Sequence, residues 1–123
     1  MRFGQMLLTN DFETTTTSTD CRIWAWGSCE IGNPAYFAYG NTMDSYFDYL
    51  RQNVGSTIYF HNLKFDGEFI MIYLFEHGFR HVTDRRKEDT KTFSTLISDK
   101  GQFYSIKIIF KKEGKRTDAV TIY

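Results

Sequence analysis

The chain has little cysteine, no long apolar run and no net charge. Each shortage removes a class of protein. Cys21 and Cys29 stand eight apart with no second pair among the 123 residues, so neither a disulfide framework nor a zinc site is expected, and both read as structural free thiols. No apolar run approaches the ~20 residues needed to span a membrane, and no signal peptide opens the chain. A cytosolic protein without membrane contact is the expectation. With 15 basic and 15 acidic side chains, bulk electrostatics do not advertise a nucleic-acid binder. Repeats and linkers are missing as well, and apart from one run of four threonines so are low-complexity segments.

What is present is apolar and aromatic. A hydrophobic content of 41% and an aromatic content of 18%, with 12 Phe and 8 Tyr, describe one folded domain with a modest core. Charge is unevenly spread. Residues 1–63 carry 3 basic against 6 acidic side chains, and residues 64–123 carry 12 against 9. Lys107, Lys111, Lys112, Lys115 and Arg116 make the last segment basic, which suits either phosphates or a solvated hairpin.

Periodicity lays out the elements. A first strand is expected near Gln5–Asn10, followed by a Thr-rich loop at Thr14–Thr19. Cys21–Ile31 alternates as a strand does, Gly32-Asn33-Pro34 marks a turn, and Ala35–Tyr39 returns as the third strand of a meander. Asn41 or Thr42 is a suitable N-cap for a helix whose apolar positions Met43, Tyr46, Phe47 and Leu50 share one face, with Gly55 as its stop. Thr57–Phe60 is a fourth strand. Reached through a helix crossover, it lies most naturally parallel to the first. A second helix, about Asp66 to His77, is apolar almost all round and is expected to be largely buried, with Gly78 ending it. Arg80–Lys91 reads as charged loop. Thr92–Ser98 and Gln102–Phe110 read as a hairpin around Asp99-Lys100-Gly101, and Arg116–Tyr123 as a last strand.

Chemistry concentrates where the first strand ends. Asp11 and Glu13 are two apart, so on extended backbone they project to one side. Carboxylates that close repel each other, and one gains a proton unless a cation sits between them. A hard cation such as Mg2+ or Mn2+ suits that oxygen set. A strand end with two solvated acids is the other reading of the pair taken alone.

A second stretch bears on that choice. Asp11-Phe12-Glu13-Thr14-Thr15-Thr16 together with Tyr59-Phe60-His61-Asn62-Leu63-Lys64-Phe65-Asp66-Gly67 resembles the first two motifs of the DnaQ-like 3′–5′ exonucleases. More narrowly, it resembles the proofreading domain of protein-primed family B DNA polymerases of small tailed phages. Order and separation of the two strings fit as well, and weaker agreement runs through Cys21–Ala25, Ser94–Ser98 and Gly101–Tyr104. The resemblance implies an α/β, ribonuclease-H-like fold, truncated, in which a mixed sheet with an antiparallel meander carries two helices and an added β-hairpin. It implies a phage protein acting in the cytoplasm of an infected bacterial host.

The same resemblance implies catalytic and metal-binding roles for Asp11, Glu13 and Asp66, in hydrolysis assisted by two Mg2+ or Mn2+ ions. It implies that Thr14, Tyr59, His61, Asn62, Phe65 and Phe69 hold the single-stranded DNA 3′ end. Read without it, Asp66 is a helix N-terminal acid favoured by the dipole, and Tyr59, Phe65 and Phe69 are core. His61 has no clustered partner that would argue zinc. The family's third motif, a Tyr shortly ahead of an Asp in a later helix, has no counterpart here. Residues 1–123 are therefore expected to form a single incomplete exonuclease-like domain, with catalysis weakened. Two other expectations stand beside the exonuclease. One is a free-standing phage binding module that inhibits a host or defence nuclease, in the manner of anti-CRISPR proteins. The other is a face covered by a protein partner or by self-association.

Overall fold

The computed structural model describes residues 6–16, 21–61, 63–97, 100 and 103–123. Alternating apolar residues build one eight-stranded mixed sheet, ordered β3-β2-β1-β4-β8-β7-β6-β5. Its strands are β1 (Leu7–Thr16), β2 (Cys21–Glu30), β3 (Asn33–Gly40), β4 (Thr57–Phe60), β5 (Arg80–His81), β6 (Thr92–Ile97), β7 (Phe103–Glu113) and β8 (Arg116–Ile122). Two helices, α1 (Met43–Gln52) and α2 (Leu63–Glu76), complete it. The meander β1-β2-β3 is antiparallel. β4, delivered by α1, lies parallel to β1, with Thr9 beside Tyr59 and Asn10 beside Phe60. Meander, crossover helix, parallel fourth strand and second helix give the mixed α/β, ribonuclease-H-like architecture expected of this chain.

The period of two decides which face each strand buries. Leu8, Phe12, Ile58, Phe60, Ile106, Ile108, Val120 and Ile122 point to one side and form a single core with Tyr46, Phe47 and Leu50 of α1 and Ile70, Tyr73 and Leu74 of α2. The helices meet through Phe47 and Tyr73, stacked at 4.0 Å. The opposite face carries Leu7, Phe37, Tyr39, Tyr59 and Tyr123, all exposed.

Several elements depart from the sequence reading. β1 runs on to Thr16 because β2 offers a partner as far as Cys21, so Asp11, Glu13 and Thr14 lie within a strand and not past its end. α1 ends at Asn53, and Gly55, at φ +86°, follows it. α2 starts three residues early, and its apolar girth is not buried all round: Ile72 and Phe75 are more than half exposed. A helix with no polar face still meets the sheet along one side only. Within the expected loop, Arg80–His81 pairs parallel with β6 and Arg85–Lys87 makes a 3-10 turn. The tip of the β6–β7 hairpin lies mostly outside the described residues.

Candidate active site

The parallel pairing of β1 and β4 sends both motifs off the same end of the sheet. β1 passes Asn10 and presents Asp11 and Glu13 on the open face, with Phe12 between them buried in the core. A register shift between Glu13 and Thr14 bends the strand there, as bulges do beside working sites. Thr14 is half-buried. From β4 the chain turns at His61, which is exposed, and enters α2 at Leu63; Asn62 lies outside the described residues.

That turn seats Asp66, in the first turn of α2, against β1. Its carboxylate accepts a hydrogen bond from the Phe12 N–H and feels the charges of Asp11 and Glu13. Asp66 is 4% exposed. Burial and, next, the Asp11 charge push its carboxyl up to about 6; the Phe12 N–H opposes this, and Glu13 adds a smaller rise. The helix dipole favours the charged form, and it is outweighed.

Three hard oxygen donors that repel one another suit a divalent cation. As they stand, the side chains do not close on one point. Among the described residues no three His, Cys, Asp or Glu groups gather tightly enough to hold an ion. The chemistry of the set fits such a cation, and the open geometry leaves the two exposed acids to move onto it.

The aromatic residues of the second motif divide. Tyr59 is on the open face, stacked on Tyr123 at 5.7 Å. Phe65 is 37% exposed and meets Phe69 edge-on at 5.4 Å, and Phe69 leans on the core. Tyr59 and Phe65 are therefore not core, while Phe69 partly is.

Beside the carboxylates lies a cleft of about 380 Å3, with Asp11 and Glu13 on one side, Phe37 on the other and Gly27 between. Sequence reasoning missed Phe37, although Phe37 and Tyr39 alternate with half-buried Tyr36 and Ala38, the signature of an outward pair. It also missed Asn10, which is buried beneath the site. Its Nδ2 donates to Tyr46 Oη at 2.7 Å, and its Oδ1 has no partner among the described residues.

No protein-family model matches the chain. The DNA polymerases of Bacillus phage M2 and Bacillus phage Nf are each 43% identical to it over 113 residues, 92% of this chain. The DNA polymerase of Bacillus phage phi29 is 41% identical over the same length. These are homologues of the phi29-type phage DNA polymerases and this chain is one of them in sequence. The match takes in 19% of each polymerase, so the chain spans about a fifth of the length of the curated relatives it matches. Solved structures of phi29 DNA polymerase agree. The complex with single-stranded DNA superposes with a TM-score of 0.84 at 34% identity, over 97% of this chain and 20% of that one. The orthorhombic crystal form gives 0.86 at 35% identity over the same shares. The matching part of the phi29-type polymerase is its N-terminal region. All these relatives are polymerases, and they lend no support to an inhibitor of defence nucleases. Among the described residues no helix is long and apolar enough to cross a membrane.

Proposed function

We propose that this region serves a phage DNA polymerase as a 3′–5′ exonuclease site that takes the 3′ end of single-stranded DNA. The observation that carries the reading is Asp66, a buried carboxylate held by the Phe12 N–H within the fields of Asp11 and Glu13. A structural acid gains nothing from that position, since its own neighbours raise its pKa.

In this reading Asp11, Glu13 and Asp66 hold Mg2+ or Mn2+, which when bound would polarise the phosphate and activate the attacking water. Phe12 N–H orients the Asp66 carboxylate, and its burial removes water that would compete for the ligand oxygens. Tyr59 and Phe65 offer aromatic faces to bases without regard to sequence, and Phe69 supports Phe65 from beneath. Thr14 and His61 present a hydroxyl and an imidazole to sugar or phosphate, as does the amide of Asn62. DNA as a partner is further supported by the phi29 polymerase structures with single-stranded and primer-template DNA.

Thermal unfolding with Mn2+ tests the metal reading. Millimolar Mn2+ is expected to raise the midpoint of the wild-type chain at pH 7.5 and to leave the Asp11→Asn, Glu13→Gln variant unmoved. Equal shifts in both proteins would place the cation elsewhere and defeat the assignment.

A further inference from the structure

We propose that Phe37 and Tyr39 form an additional base-stacking platform for single-stranded nucleic acid, facing Asp11 across a trough opened by Gly27. The proposal rests on the exonuclease reading of Asp11, Glu13 and Asp66.

Strand register places these groups on one face. Asp11 pairs with Gly27 and Gly27 with Tyr39, while Thr9 pairs with Cys29 and Cys29 with Phe37. The helices pack on the other face, where Trp26 and Ser28 meet Tyr46 and Tyr49. Phe37 is 59% and Tyr39 76% exposed, with ring centroids 5.6 Å apart and planes 32° from parallel. Two large aromatic rings side by side on an edge strand invite aggregation unless something covers them.

The trough says what that occupant is. Gly27 contributes no side chain, and a Cβ built there would meet the Phe37 ring at 3.8 Å, so the ring leans over the glycine and roofs an open channel toward Asp11. One wall is carboxylate and the other aromatic, the polarity of a nucleotide whose phosphate approaches the acids while its base lies on a ring. From β1 to β3 is two strand spacings, about 10 Å, within the reach of one nucleotide. On the other side of β1 the Tyr59–Tyr123 stack stands on the same face. Aromatic surface therefore flanks the carboxylates on both sides, as it does on sheets that bind single strands by stacking. A greasy protein segment would bury the rings equally well but would leave the acidic wall without a partner.

The experiment is fluorescence anisotropy of labelled deca-deoxythymidine, at low salt with Ca2+ in place of Mg2+ so that nothing is digested. An abasic oligomer of equal length serves as the second probe. Phe37→Ala, Tyr39→Ala is expected to weaken the thymidine oligomer about five- to a hundredfold and to leave the abasic oligomer unchanged. Gly27→Val, which fills the trough with a residue strands favour, should weaken it similarly with both rings in place. Exposed Ile31→Ala, at the far end of the meander, should bind as wild type. Wild-type affinity in both the double variant and Gly27→Val would overturn the platform while leaving the exonuclease reading standing. Equal losses on both oligomers would overturn it too, since rings that stack bases cannot act on an abasic chain. No binding by the wild type would defeat both readings together.

Discussion

Asp66 carries the most informative side chain in the molecule because its surroundings work against its charge. In the folded chain its carboxyl titrates at about 6, against an ordinary value of 3.8. Between those values the folded state keeps a proton that the unfolded state releases, so the contribution to stability is fully present below about 4 and is lost as pH rises through 6. Asp66→Asn keeps an acceptor for the Phe12 N–H and removes the charge. In buffer containing chelator it should stabilise the chain at pH 8 by on the order of 1–2 kcal/mol and change little at pH 4. Thermal midpoints at the two pH values check this, and no gain at pH 8 would show that the acids do not oppose one another. Tyr46 poses the complementary case. Its phenol is buried, burial pushes its pKa strongly up, and it accepts from Asn10 at 2.7 Å. Tyr46→Phe deprives Asn10 of its one described partner and should cost about 1–3 kcal/mol, read as a lowered denaturation midpoint in urea.

At the scale of elements, the join between the meander and α1 is held by one tight contact. Thr42 caps α1, its Oγ1 accepting from Ser45 N at 3.0 Å, while Ser45 Oγ accepts from Trp26 Nε1 at 2.9 Å. The chain passes this point at Gly40, where a Cβ would stand 2.5 Å from the indole nitrogen and 2.7 Å from Ser45 Oγ. The indole is backed by Tyr46 and Tyr49, with ring centroids 5.3 and 5.0 Å away, and has nowhere to retreat. Gly40→Ala should therefore destabilise by several kcal/mol in the manner of an overpacked core, against about 1 kcal/mol for Thr42→Ala. Chemical denaturation of the two variants gives the comparison, and a smaller effect at Gly40 than at Thr42 would contradict it. α2 is held differently. It lacks a polar face, yet it is fixed by Leu63, Ile70, Tyr73 and Leu74 on one side, and Tyr73 reaches Asp44 of α1 at 2.8 Å.

For the whole molecule, the expectation is weak, sequence-indifferent binding of single-stranded DNA that fades with salt, since phosphate contacts release counterions. Phe65→Ala and His61→Ala should weaken it, by about 1–3 kcal/mol for the stacked ring. Oligonucleotide titrations at two salt concentrations would show this, and salt-independent binding would count against a phosphate-tracking surface. Residues 1–123 contain three of the family's carboxylates and no counterpart of its third motif. As an isolated polypeptide they should digest a 3′ overhang several decades more slowly than a complete two-metal site, because each ~1.4 kcal/mol of lost transition-state stabilisation is tenfold in rate. Brisk digestion abolished by Asp11→Ala, Glu13→Ala would show that another group completes the site.

Local pattern by itself determined much of this protein. Alternation marked the meander, the i, i+3, i+4, i+7 spacing of Met43, Tyr46, Phe47 and Leu50 marked α1, and two contiguous strings marked the carboxylates and the family. These are signals carried by residues near one another in the chain, where backbone periods of two and 3.6 act directly. Tertiary structure decided the rest. How far β1 ran depended on β2 being there to pair with it, which took Asp11 and Glu13 into the strand. Whether Ile72 and Phe75 were buried depended on how much sheet lay beneath α2. That Phe37 faces Asp11 across Gly27, and that Asp66 is charged against its surroundings, followed from register between strands and from a helix seated on a distant backbone N–H. No stretch of sequence contains those distances, because they exist only once the sheet has brought separate segments into one row.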